Sequence, residues 1–246
     1  MIDVHCHVLP GIDDGAPTLE DALALARACA ATGVTHLFAT PHVYPGRWEN
    51  RRSTIRTQYE LFKRALAVFH VPLVLGMAGE VRLNADVLEL LSEDELPFLG
   101  ECDGLRTMLL ELPDGSIPVG ADRLVRHLVD NRIRPLIVHP VRNKAVMDDH
   151  ERIRPFVEMG CCLQLTAASV IGEFGSGAFR ASEELLQERW ATVVASDAHN
   201  LRGRAPRMDA ARDYLAEHYG DDFAEELTRR APARLAGLAI ETPIAA

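Results

Sequence analysis

Along this chain, short apolar runs alternate with longer stretches whose apolar positions recur every three or four residues. The runs read as buried strands and the periodic stretches as amphipathic helices. Ile2 and Val4 mark a first extended segment, and the pattern predicts further strands over 35–40, 73–76, 107–112, 135–138, 162–166 and 192–196. Thr18 to Asp21 reads as a helix cap, followed by Leu19, Ala22, Leu23, Ala26 and Ala30 at helical spacing up to Gly33. Later helices are predicted over 52–68, 84–91, 120–130, 149–159, 181–188, 208–218 and 222–230. Strands that alternate with helices must run parallel, because parallel neighbours need a crossover. A closed or nearly closed α/β barrel fits this order, with every strand ending at one mouth.

The polar residues that interrupt this pattern fall at one place in it. Asp3-Val4-His5-Cys6-His7 puts two histidines on one face of an extended segment, since side chains two apart point the same way. The run 37–40 leads to His42, 73–76 to Glu80, 108–110 to Glu111, 136–138 to His139, and 193–195 to Asp197 and His199. Taken singly, each has an ordinary explanation: a satisfied histidine in a turn, or a carboxylate paired to Arg82 or Arg106. No structural need of a barrel, however, demands repetition at every strand end, and buried charges there are costly unless paired or bound to metal. With Asp14, nine candidate ligands result (His5, His7, Asp14, His42, Glu80, Glu111, His139, Asp197 and His199), too many for one ion and suited to two or three. Imidazole and carboxylate ligands suit zinc, manganese or iron, and neighbouring ions of this kind favour phosphoester hydrolysis. Arg142 and Arg204, close after His139 and His199, are candidates to grip a phosphoryl group through their planar forks, with Arg202 as the competitor of Arg204.

Composition narrows the choices. At 246 residues the chain fits a single domain over 1–246, with 241–246 expected to be frayed. A net charge of -10 argues against a nonspecific nucleic-acid binder. The absence of a charged-then-apolar leader or a long apolar run predicts a soluble, cytoplasmic protein without a membrane span. Five cysteines without C-x-x-C spacing read as reduced thiols, with Cys6 facing away from the histidines that flank it. No cysteine stands six residues before an arginine, and neither Asp-x-Asp nor a Walker loop occurs, so the thiol, aspartyl-phosphate and P-loop chemistries are not indicated. Residues 172–177, rich in glycine, read as a flexible loop at the barrel mouth. The helix over 52–68 could pack on its own barrel or on a second copy, leaving a homo-oligomer possible.

Several segments in order resemble the PHP (polymerase and histidinol phosphatase) superfamily, and within it the CpsB/CapC/YwqE-like bacterial protein-tyrosine phosphatases of capsule and exopolysaccharide systems. The opening 3–7 with 9–15 is the most specific, joined by Ala39-Thr40-Pro41-His42, Gly79-Glu80-Val81-Arg82, Leu110-Glu111-Leu112-Pro113, His139-Pro140-Val141-Arg142, Gln164-Leu165-Thr166-Ala167 and Ser196-Asp197-Ala198-His199-Asn200. The resemblance implies a distorted (β/α)7 TIM-like barrel and three divalent ions, commonly manganese, with iron or zinc as alternatives. It implies one ion on His5, His7, Glu80 and Asp197, a second on Glu80, Glu111 and His139, and a third on Asp14, His42 and His199. Arg142 and Arg204 would bind phosphate, and the partner would be a phosphotyrosine protein such as an autophosphorylating tyrosine kinase of polysaccharide export. The chain departs from the pattern at Val141, where the family usually has an acid, and at Ala205, where it usually has proline. Hydrolysis of histidinol phosphate or a nucleotide, and a noncatalytic metal-binding module, are the alternatives.

Overall fold

Each apolar run forms a parallel strand, and each periodic stretch carries the chain back as a helix. The computed structural model describes residues 1–239, so the expected frayed tail lies outside the described residues. The first half of the chain contains β1 (Ile2–Cys6), α1 (Leu19–Ala31), β2 (His36–Ala39), β3 (His42–Val43), α2 (Arg52–Val68), β4 (Val74–Met77), β5 (Glu80–Arg82), α3 (Asp86–Ser92), β6 (Gly100–Cys102) and β7 (Leu105–Glu111). Then come α4 (Ala121–Asp130), β8 (Ile133–Val138), α5 (Lys144–Asp148), α6 (Arg154–Glu158), β9 (Cys162–Thr166), α7 (Ala167–Val170), α8 (Ser176–Gln187), β10 (Ala191–Ala195), α9 (Met208–Tyr219), α10 (Asp221–Glu225) and α11 (Ala231–Leu235).

Two strands are broken in the middle, and the breaks shape the mouth. Pro41 has no N–H to give to a ladder, so the path that starts as β2 resumes as β3. Its neighbour breaks at Ala78 and Gly79 between β4 and β5, while Ala78 N donates to Ala39 O at 2.9 Å and Glu80 N to Pro41 O at 3.0 Å. Joining the halves gives a continuous parallel order of β1, β2/β3, β4/β5, β7, β8, β9 and β10. The circle closes where Asp197 N donates to His5 O at 2.8 Å and His7 N to Ala198 O at 2.9 Å. β6 is the exception, an antiparallel hairpin partner at the start of β7.

The main apolar cluster lies between the strands and the outer helices, where α2 contributes Ile55, Phe62 and Leu66. A second cluster joins Leu109, Leu136, Val138, Val193 and Ala195 to Ala231, Ala233 and Leu235 of α11. The backbone of Ala236 lies so close to Gly100 that a Cβ there would come within 2.3 Å of it, which places α11 beside β6, at the strand-start end of β7 and away from the mouth.

Several boundaries differ from the sequence reading for local reasons. The helix expected over 149–159 is a 3-10 turn, His150–Ile153, followed by α6, whose Pro155 sits in the first turn where a missing N–H costs nothing. α8 begins at Ser176 rather than 181, so the expected loop is confined to the turn before Gly175, whose φ is 90°. The last expected helix is α10 continued by a π-helical turn, Glu226–Arg230. Thr18 caps α1 as expected, accepting from Asp21 N at 3.2 Å. The five cysteines are free, and Cys6 is buried with its thiol donating to Ala198 O.

Candidate metal centre

β1 delivers His5 and His7 together, and both are fully buried. Their Nε2 atoms face each other at 3.2 Å. The opposite nitrogens are committed elsewhere: His5 Nδ1 lies 3.0 Å from Gln164 Oε1, and His7 Nδ1 lies 2.7 Å from Asp13 Oδ2. An Nδ1–H donated to each acceptor turns an Nε2 lone pair of each ring toward the same point. Two lone pairs aimed at each other in a buried site are unfavourable without a positive charge between them; without metal a proton supplies it, and against the pull of burial Asp13 lifts His7 well above the usual imidazole range.

The other strand ends close around that point. From β5, Glu80 lies within 3.4 Å of His5 Nε2, 3.2 Å of His7 Nε2 and 2.9 Å of His42 Nδ1 through Oε2, and 2.6 Å from His139 Nε2 through Oε1. Asp197 Oδ1 is 3.4 Å from His5 Nε2 and 3.5 Å from His7 Nε2. Asp14 Oδ1 sits between His42 Nε2 at 3.2 Å and His199 Nε2 at 3.4 Å. Glu80 Oε2, Asp197 Oδ1 and His199 Nε2 are buried without a hydrogen-bond partner of good geometry. All nine predicted ligands therefore meet at one rim. Their ligand atoms fall into four groups, each with members within 4.8 Å of one another: His7, Asp14, His42 and His199; His5, His7 and Glu80; His5, His139 and Asp197; and His42, Glu80 and Glu111. His139 also stands with His5 and Asp197, while its Nε2 lies 2.6 Å from Oε1 of Glu80, its partner in the implied second site.

Backbone geometry serves the same end. His139 and Asp197 adopt left-handed φ values of 34° and 52°, a conformation that costs non-glycine residues free energy and that turns the side chains inward at their strand ends. The loop bearing Asp13 and Asp14 passes directly over β1: a Cβ on Gly15 would lie 2.1 Å from His7 O, so only glycine fits there.

The electrostatics are those of a cage of opposite charges. Burial alone would raise Glu80 and Asp197, yet both carboxyls are held well below their usual range, Glu80 by His5 and His139 and Asp197 by Arg204 and His5. Burial pulls His42 down, but Asp14 and Glu80 lift it to about 9. Burial and the His7 charge lower His199 to about 4. Glu111 is raised, first by burial and then by the Glu80 charge.

Arg142 Nη1 and Arg204 Nη2 both donate to Asp197 Oδ2, at 3.0 Å and 2.7 Å. Arg202, the competitor, is exposed and does not line the mouth. The pairing of Arg82 with Glu111, the bland explanation for that glutamate, is present at 2.9 Å, and Glu111 joins the cluster nonetheless. Sequence reasoning assigned no role to Asp13 or Gln164, which orient the histidines, or to Tyr44, Arg47 and Trp48, which line a cleft of about 220 Å³ over the cluster together with Arg82, Arg142 and Arg204. The Asp13-Asp14 pair beside Gly15 was a signal for the first; loop aromatics gave none for the last.

A curated relative, the tyrosine-protein phosphatase YwqE of Bacillus subtilis, is 31% identical over 231 residues, 94% of this chain and 90% of its own. The tyrosine-protein phosphatase CpsB of Streptococcus pneumoniae is 28% identical, with 92% of this chain and 94% of the relative covered. A crystal structure from the work on YwqE and CpsB, described there as unique metal-dependent tyrosine phosphatases, matches with a TM-score of 0.89 at 30% identity, covering 98% of this chain and 96% of that one. A β-aspartyl dipeptidase from Fervidobacterium islandicum shares the barrel fold, with a TM-score of 0.59 at 13% identity over 96% of this chain and 72% of its own. The sequence model of the family for capsular polysaccharide synthesis, CpsB/CapC, matches residues 1–236, and the chain belongs to that family.

Proposed function

We propose that this chain is a metal-dependent protein-tyrosine phosphatase, that residues 1–246 act as one phosphatase domain, and that its substrate is an autophosphorylating tyrosine kinase of capsule or exopolysaccharide synthesis. The observation that carries this reading is the convergence of nine ligand-type side chains and two arginines on one rim, with Asp197 shared between them. Names of the relatives support the substrate class. Three divalent ions, manganese first and iron or zinc as alternatives, fit the donor set. His5, His7, Glu80 and Asp197 would hold one, Glu80, Glu111 and His139 a second, and Asp14, His42 and His199 a third, with the Glu80 carboxylate serving two. The chemistry such a cluster supplies is activation of water near neutral pH and offset of phosphoryl charge.

The chain's own residues do the rest. Asp13 and Gln164 fix the ring orientations of His7 and His5, and Asp197 Oδ2 holds both guanidinium groups at the edge of the cleft. A phosphoryl group entering there meets two planar forks that already share a carboxylate, so little side-chain entropy remains to be lost. The tyrosine phenol, with a pKa of about 10, leaves without needing a strong acid. No helix among the described residues is long and apolar enough to cross a membrane, which accords with action in the cytoplasm.

The test is phosphate release by the manganese-loaded protein from a phosphotyrosine peptide and from histidinol phosphate, before and after chelation. A preference for the peptide that chelation abolishes is expected. Preference for histidinol phosphate would overturn the substrate class, and p-nitrophenyl phosphate turnover unaffected by chelation would overturn the chemistry.

A further inference from the structure

A second cavity, about 400 Å³, opens beside the polar cleft and shares Asp114, Arg142 and Arg204 with it. Its remaining wall is apolar: Val141 from the turn after His139, Met147 from α5, Phe174 from the turn before α8, and Ala178 from α8 itself. We infer that this cavity receives the phenyl ring of the phosphoester and makes the site selective for aryl over alkyl phosphates, an inference that rests on the phosphatase reading above.

The shared arginines set the geometry. A phosphoryl group on Arg142 and Arg204 places its ester oxygen at the junction of the two cavities, and the group attached to that oxygen continues along the apolar wall. A phenyl ring one bond beyond the oxygen reaches this wall, whereas a phosphoserine offers a single methylene before its backbone begins. Phe174 is placed for an aromatic contact, with its ring 6.0 Å from the Arg142 guanidinium carbon. The turn that carries it is held by its backbone, with Glu173 N donating to Ala168 O at 2.8 Å and Gly175 N to Gly172 O at 3.1 Å. Val141 keeps this part of the wall uncharged beside the bound anion. The turn read from sequence only as a glycine-rich loop thereby presents one aromatic side chain to the substrate.

Phe174→Ala and Met147→Ala test the assignment, because both side chains are half-buried at the edge of the core rather than among its fully buried residues. With manganese-loaded full-length protein, KM for a phosphotyrosine peptide should rise about 3- to 10-fold in each variant, the scale of one lost aromatic or sulfur–aromatic contact. Inhibition by inorganic phosphate, which reads the arginines and the metal cluster without a ring, should keep its wild-type constant. The preference over the same peptide carrying phosphoserine should shrink by the factor lost in KM. An unchanged KM overturns the inference. A parallel rise in the phosphate inhibition constant also overturns it, since Phe174 would then act only by positioning Arg142. So does an effect of Trp48→Ala that Phe174→Ala does not share, which would put the ring on the opposite wall. Wild-type protein that hydrolyses neither peptide is the separate outcome that defeats the phosphatase reading and this inference with it.

Discussion

Replacing Asp13 with asparagine should weaken metal binding without removing a ligand. The carboxylate of Asp13 accepts three hydrogen bonds: Oδ2 from His7 Nδ1 at 2.7 Å and from His42 N at 3.0 Å, and Oδ1 from Gly15 N at 2.9 Å. All three partners are donors, so an amide in either orientation must turn its NH2 toward at least one of them. With the carbonyl on Gly15, the NH2 faces His7 and forces that ring into the other tautomer, with a proton on Nε2 where a lone pair is needed. A charge-assisted hydrogen bond of this kind is worth roughly 1.5–3 kcal/mol, and loss of a carboxylate behind a ligating histidine typically lowers affinity about 10- to 100-fold. The two figures agree, since each tenfold step is about 1.4 kcal/mol. Competition with a chromophoric chelator gives the manganese affinity directly. Saturating metal should then restore most of the phosphatase activity, because all nine ligands remain. An Asp13→Asn protein that binds manganese as tightly as wild type would refute the assignment of His7 as a ligand oriented by Asp13.

Other expectations concern neighbouring parts of the site. His42→Ala should lower phosphate release to background while moving the urea midpoint little, because the side chain lies at the mouth rather than in the core; normal turnover would remove it from the ligand set. Arg204→Lys should lower kcat/KM at least about tenfold, since a point charge cannot reproduce the fork shared with Arg142 on Asp197; equal kinetics would place phosphate elsewhere. In metal-free protein, burial works against a proton on His42 but Asp14 and Glu80 raise it to about 9 from 6.5; stability from this ion pairing is therefore complete below pH 6.5 and lost as pH rises through about 9. Because manganese must displace that proton, its affinity should climb between pH 6.5 and 9, with proton release seen by calorimetry in two buffers; a flat profile would contradict the protonated state. Gly15→Ala should cost roughly 1–3 kcal/mol in urea unfolding and impair metal binding, since its Cβ would meet His7 O at 2.1 Å; an unperturbed protein would show that the loop has another path.

The parts of the fold legible in sequence are those governed by local periodicity. α2 and β9 stand at their expected bounds because their patterns end sharply, at Arg52 and Val68 and at Cys162 and Thr166. The alternation of runs also disclosed the seven-strand path, although β3 and β5 were too short to register as continuations beyond Pro41 and Gly79. β6 escaped notice because its one partner among the described residues is the start of β7 and Glu101 is exposed, leaving no apolar run to see. The ligands were visible because strand ends are where a barrel exposes polar side chains, and nine of them in apolar company form a pattern. The backbone that aims His139 inward was not visible, since no sequence period encodes its strained φ of 34°. Trp48, Arg47 and Tyr44 were equally silent, since aromatic and basic residues in a connecting segment carry no signature until the fold brings them over His42.

The central claim is that side chains from separate strand ends hold a cluster of divalent cations on which phosphoester cleavage depends. Anomalous diffraction from crystals grown with manganese, collected on either side of its absorption edge, tests this most directly. The account predicts manganese peaks enclosed by His5, His7, Asp14, His42, Glu80, Glu111, His139, Asp197 and His199, with none at the surface matching their occupancy. Absence of manganese from that rim in crystals of protein that still releases phosphate would contradict it.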